Sequence, residues 1–184
     1  MWAKPEDVLS FWLDEVGPAS WYIQSDELDE KIQSRFMETW KAASEGKLDQ
    51  WMLRPDQSLA LLILLDQFPR NMFRGADTAF STDKKALAVA KKAICDGHDL
   101  KVDEPQRQFF YLPLMHSECI TDQDRCVRLI MTRMPKNGEQ NLPFAKEHRD
   151  VIRKFGRFPY RNEALGRRTT ATEQAYLQEH GFAA

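Results

Sequence analysis

Two short stretches of this chain repeat a spelling that packing alone does not demand, Phe68-Pro69-Arg70-Asn71 and Phe158-Pro159-Tyr160-Arg161-Asn162. A proline restricts the backbone of a bend and presents the following side chains in a defined direction. The guanidinium fork of arginine suits bidentate recognition of a carboxylate or phosphate. In the first stretch an apolar run turns abruptly into Asp66, Gln67, Arg70, Asn71 and Arg74, with Gly75 as the exit. Asp66 and Gln67 then orient Arg70 and Arg74 toward a pocket, or Arg70 merely caps the last carbonyls of its own helix. The second stretch supplies Arg157, Arg161 and Asn162 after another helix end. Facing each other across a cleft, the two corners would bind an anionic ligand. Taken singly, each would stitch its own loop to a helix end.

The block Tyr111-Leu112-Pro113-Leu114-Met115-His116-Ser117-Glu118 adds an imidazole and a carboxylate. Residues two apart on a regular helix point in roughly opposite directions. His116 therefore shares a face with Phe109, Leu112 and Ile120, and Glu118 shares the other with Arg107, Tyr111 and Leu114. His116 is a candidate general acid or base, the alternative being a core histidine bonded to a backbone carbonyl. Glu118, if buried, needs a cationic partner, either Arg107 or an arginine from a corner. His148 faces the core side of its helix, where it could approach His116. Two histidines and a carboxylate can hold a metal, but the spacing matches no local metal motif, and neither metal nor cofactor is expected. Dinucleotide and phosphate loops, a nucleophile elbow and a zinc pattern are all absent from the sequence.

Composition narrows the classes. With 184 residues, 42% hydrophobic and 29% charged, the chain suits one folded domain spanning 1–184. A formal charge of −2 argues against a dedicated nucleic-acid binder. Between Arg149 and Arg168, six Arg and one Lys face Asp150 and Glu163, a balance of 7 − 2 = +5. Such a patch suits a small anionic metabolite, an acidic peptide, or the protein's own acidic residues. Cys95, Cys119 and Cys126 form no CxxC pair, which points to inert thiols in a reducing compartment. With no leader visible and no apolar run long enough to span a bilayer, a cytoplasmic location is expected.

The elements that must position these residues are helices. Apolar spacing predicts helices over 5–16, from Ser25 to before Gly46, over 56–67 and over 81–96. Pro69 should end the third of these. A long helix from Asp103 to about Ile120, kinked at Pro113, should follow, then 121–134 and one opened by Pro143 and closed by Gly156. The last helix begins with the capping box Thr170-x-x-Glu173 and closes near Gly181. About eight helices with short loops make an all-α fold of antiparallel pairs. The tryptophans all lie within the first 51 residues, so the N-terminal helices should supply the bulky packing.

The strings LLDQFPRNMFRG, YLPLMHSE, FGRFPYRN and LGRRTTATEQAYL, together with the Val8-Leu9-Ser10-Phe11-Trp12 start and Gly46-Lys47-Leu48 before Trp51, resemble the bacterial family of domain of unknown function 924. The resemblance covers nearly the whole chain. It implies a fully helical fold similar to a right-handed tetratricopeptide-like array, and it implies no activity. The sequence thus leads to two expectations. One is an anion-binding cleft lined by Asp66, Gln67, Arg70, Asn71, Arg74, Arg157, Arg161 and Asn162, with His116 and Glu118 as catalytic candidates for hydrolysis or transfer. The other is a helical module that cradles a partner peptide, although no self-similarity of about 34 residues supports it.

Overall fold

The computed structural model describes residues 2–180, and among them there is helix and turn but no strand. Pro5 sits in the opening turn of α1 (Pro5–Leu9), which widens into π turns over Ser10–Val16 and stops at Gly17, φ 71°. Ser25 accepts a hydrogen bond from the backbone N–H of Leu28 at 3.3 Å and so caps α2 (Asp26–Ser44). α3 (Pro55–Leu62) is buried almost all round and continues as π turns over Ile63–Gln67. There follow α4 (Phe68–Met72), α5 (Asp83–Cys95), α6 (Leu112–Met115), α7 (Ile120–Arg133), α8 (Gly138–Phe155) and α9 (Ala171–His180).

α3 packs against α1 and α5, α2 against α4, and α7 against both α6 and α8. The main core centres on α3, with Phe68 tilted against Phe36 at 4.9 Å and edge-on to Trp12 at 5.6 Å. Each such buried aromatic stabilises the fold by about 1.5–3 kcal/mol through its area alone. A second, smaller apolar cluster of Val151, Ile152, Phe158 and Tyr176 lies toward the C-terminus. Trp12, Trp21, Trp40 and Trp51 are buried as expected, whereas Trp2 is 46% exposed.

Three expectations about the elements are corrected. Pro69 does not end its helix. Gln67 and Phe68 keep right-handed helical angles, and Pro69 lies in the first turn of α4. The carbonyl of Leu65, which a residue at position 69 would normally serve, instead accepts the Thr82 hydroxyl at 2.6 Å. An outside donor thus replaces the N–H that proline lacks. The expected long helix over 103–120 is instead a 3₁₀ turn (Gln106–Phe110) and the short α6, and the chain then breaks before α7. The shared-face argument for His116 and Glu118 lapses with it. Pro143 lies inside α8, which starts at Gly138.

Other calls hold. Gly156 takes the left-handed conformation at the end of α8. Thr170 and Glu173 form the expected box, Thr170 N–H donating to Glu173 Oε2 at 2.7 Å and Glu173 N–H to Thr170 Oγ1 at 3.3 Å. The stop near Gly181 lies outside the described residues. No helix among those described is long and apolar enough to cross a membrane.

Candidate functional site

The π turns at the end of α3 carry Asp66 and Gln67, both buried in the core side of the helix. Asp66 Oδ1 lies 2.8 Å from His116 Nδ1, and Oδ2 accepts from Gln67 Nε2 at 2.5 Å. One turn on, Arg70 Nη1 donates to the Asp66 carbonyl at 2.5 Å and lies 3.4 Å from Oδ1. Arg70 Nη2 reaches both oxygens of Asp83, at 3.0 and 3.1 Å. Asp83 opens α5, and its Oδ2 also accepts from Arg161 Nη1 at 3.2 Å. The two corners therefore meet on one carboxylate.

Arg161 is 4% exposed and rests on aromatic rings, its guanidinium carbon 4.6 Å from the centroids of both Phe80 and Phe158. Its Nε donates to the Tyr160 hydroxyl at 3.2 Å, while its Nη2 is buried with no hydrogen-bond partner among the described residues. His148 closes this side. Its ring lies 6.5 Å from that of His116 and 5.5 Å from Phe158, and its Nδ1 donates to the Phe144 carbonyl at 2.8 Å. The cluster thus occupies the seam where the C-terminal apolar cluster meets the main core. A surface depression of about 260 Å³, lined by Asp77, Thr78, Phe80, Ser81 and Leu165, adjoins it at Phe80. Another depression, about 400 Å³ and bordered by Phe11, Ile23 and Leu28, shares no residue with it.

Electrostatics assign the protons. Burial alone would raise the Asp66 carboxyl, but Arg70 and His116 outweigh it and hold it at about 2. Burial lowers His116, and Arg70 lowers it further, against the opposing pull of Asp66. Near neutral pH Asp66 is therefore an anion and His116 a neutral imidazole. An anionic carboxylate only accepts, so the imidazole proton sits on Nδ1. Nε2 is left as an open base, with no hydrogen-bond partner among the described residues. The His116 side chain is 14% accessible and that of Arg70 21%, so both are largely but not completely buried. With Asp66, Arg70, Asp83 and Arg161 charged, the cluster balances at 2 − 2 = 0.

The other sequence candidates are engaged elsewhere. Asn71 Nδ2 donates to Asp29 at 2.8 Å, and Arg74 grips the same carboxylate at 3.0 and 3.1 Å, tying α4 to α2. Arg157 holds Glu173 of α9 through bonds of 2.7 and 2.9 Å. Glu118 pairs with neither Arg107 nor a corner arginine. Its partners are Arg167, at 2.8 and 3.0 Å, and the backbone N–H of Phe158 at 2.7 Å. Asn162 accepts from Arg167 Nε at 3.0 Å and donates to Thr169 at 3.3 Å. The local cationic stretch is thus largely matched internally, since Arg149, Arg153, Arg157, Arg161 and Arg167 each reach a carboxylate. Asp83 was missed in the sequence because at the head of α5 it reads as an ordinary first-turn acid. Among the described residues no group of three His, Cys, Asp or Glu is placed to hold a metal.

The architecture defines an all-helical protein whose buried Asp–His pair stands beside two arginines joined by one carboxylate. The chain belongs to the DUF924 family, described as bacterial protein of unknown function, which matches residues 8–181. It is also similar to the solved structure of a protein of unknown function from Agrobacterium tumefaciens. That likeness has 42% identity and a TM-score of 0.89, covering 95% of this chain and 97% of that one. No curated protein matches.

Proposed function

We propose that the protein binds a small anionic metabolite at the seam and that His116 acts there as a general base. The observation that carries this reading is the pair Asp66–His116. An anionic carboxylate fixes the Nδ1-protonated tautomer and leaves Nε2 without a hydrogen-bond partner among the described residues. A base that is neutral near pH 7 and held in one orientation is what proton transfer requires. The Nη2 of Arg161, without a hydrogen-bond partner among the described residues, supports an anion as the ligand. A buried guanidinium N–H without a partner is costly, and a ligand oxygen would relieve that cost. Hydrolysis or group transfer on a phosphorylated or carboxylated metabolite is the matching class, with Arg161 and Arg70 stabilising developing negative charge.

The test is thermal stabilisation by inorganic phosphate, phosphomonoesters and di- and tricarboxylates. At least one should raise the melting temperature, because a ligand at about 100 times its Kd stabilises by ~2.7 kcal/mol. Arg161→Lys, which keeps the charge but loses the fork, should abolish the shift. His116→Gln should retain binding and lose turnover. If no member of the panel shifts the wild-type protein, the reading fails. Stabilisation by acidic peptides alone would favour the interaction module instead.

A further inference from the structure

His116 lies on a turn that no regular helix supports, because α6 ends at Met115 and α7 starts at Ile120. Gln123, on the first turns of α7, is completely buried. Its Nε2 donates to the Met115 carbonyl at 2.5 Å and to the Ser117 carbonyl at 2.7 Å. Both acceptors are backbone oxygens, so the amide nitrogen must face them and the orientation of the carboxamide is fixed. These carbonyls belong to the residues immediately before and after His116. A second tie runs in parallel, with Ser117 Oγ donating to Asp122 Oδ2 at 2.9 Å and Lys91 holding Asp122 Oδ1 at 2.6 Å.

From this geometry we infer that Gln123 is a positioning residue for His116, its carboxamide clamping the backbone on both sides so that Nδ1 stays on Asp66. The inference deepens the proposed base, but it concerns the ligand-free protein and is tested without any ligand. A single amide that ties both flanking carbonyls leaves the intervening residue little freedom to rotate about its backbone. Loss of the clamp would free the imidazole from Asp66 and admit water. The group would then lose its single tautomer and titrate nearer the ordinary histidine value.

NMR of the histidine ring nitrogens across a pH titration reads both properties in the full chain. In the wild type, His116 should show the Nδ1-protonated tautomer and titrate below the ordinary range. Gln123→Leu, which removes the donor at similar volume, should move the titration upward toward the ordinary histidine value and give a tautomer mixture. Gln123→Asn, one methylene shorter, serves if the leucine variant does not fold, and should produce the same change in part. Val127→Ala, in the core face of the same helix, lowers stability without removing either clamp hydrogen bond and should leave the His116 titration unchanged. A folded Gln123 variant with the wild-type tautomer and titration overturns the inference, and so does an equal shift in Val127→Ala. Failure of the anion panel with these signatures present would sink the proposed ligand and leave the clamp standing.

Discussion

Arg70 and Arg161 share the carboxylate of Asp83, Arg70 at 3.0 and 3.1 Å and Arg161 at 3.2 Å. One arginine follows α3 and the other follows α8, so this bridge ties the C-terminal layer to the main core. It also neutralises one of the two cations, which tunes what the site will accept.

Asp83→Asn should therefore have two effects of opposite usefulness. The loss of a carboxylate between two recessed guanidiniums should lower stability by about 3 kcal/mol. The same change leaves the cluster one charge more positive, so phosphate should bind more tightly and restore part of the lost melting temperature. Thermal melts with and without phosphate check both effects, and a variant destabilised equally at every phosphate concentration would contradict the second.

Acid should weaken the fold through His148. Burial, with the nearby His116, pushes its imidazole down to about 4 from 6.5. The unfolded chain thus takes up this proton first as pH falls. The stabilisation is complete above pH 6.5 and is lost as pH falls through about 4. Allowing for partial exposure, the loss amounts to about 1–2 kcal/mol. His148→Gln should flatten the melting-temperature profile over that window, and an unchanged slope would assign the acid sensitivity elsewhere.

Much of this arrangement was legible in the residues and some was not. Caps and stops were readable at Ser25, Gly17, Gly156 and Thr170 because they act within one turn of chain. Pro69 misled, because whether a proline ends a helix depends on who satisfies the carbonyl it abandons, and Thr82 arrives from a distant segment. The break after Met115 was hidden by continuous apolar periodicity over 109–115, which a 3₁₀ turn and a helix share over so short a span. Asp66, Arg70, His116 and Arg161 could be named as chemical types. That they converge, while Asn71, Arg74, Arg157, Asn162 and Glu118 serve as staples, follows only from tertiary pairing.

Those staples should behave differently from the cluster. Asp29→Ala frees Asn71 and Arg74 together and should cost about 1 kcal/mol, given that Arg74 is half-exposed. The His116 titration should not move, and a shift there would place this pair within the site after all.

Glu173 caps its own helix and receives Arg157, and these contacts hold its carboxyl at about 2. Glu173→Ala removes both at once. Amide exchange should then quicken in α9 by about tenfold or more while α3 remains protected. Uniform acceleration throughout the chain would mean that α9 unfolds only with the whole.

The π turns over Ile63–Gln67 carry a consequence for descent as well as for mechanism. A π turn accommodates one residue more than an α-helix of the same rise. Deleting one residue from this stretch would restore regular winding with the flanking turns in place, but it would re-aim the side chains inside the stretch by up to about 100°. Asp66 would then leave His116 even though every residue type was preserved. Relatives that retain the Asp–His pair should accordingly show no gap at this point.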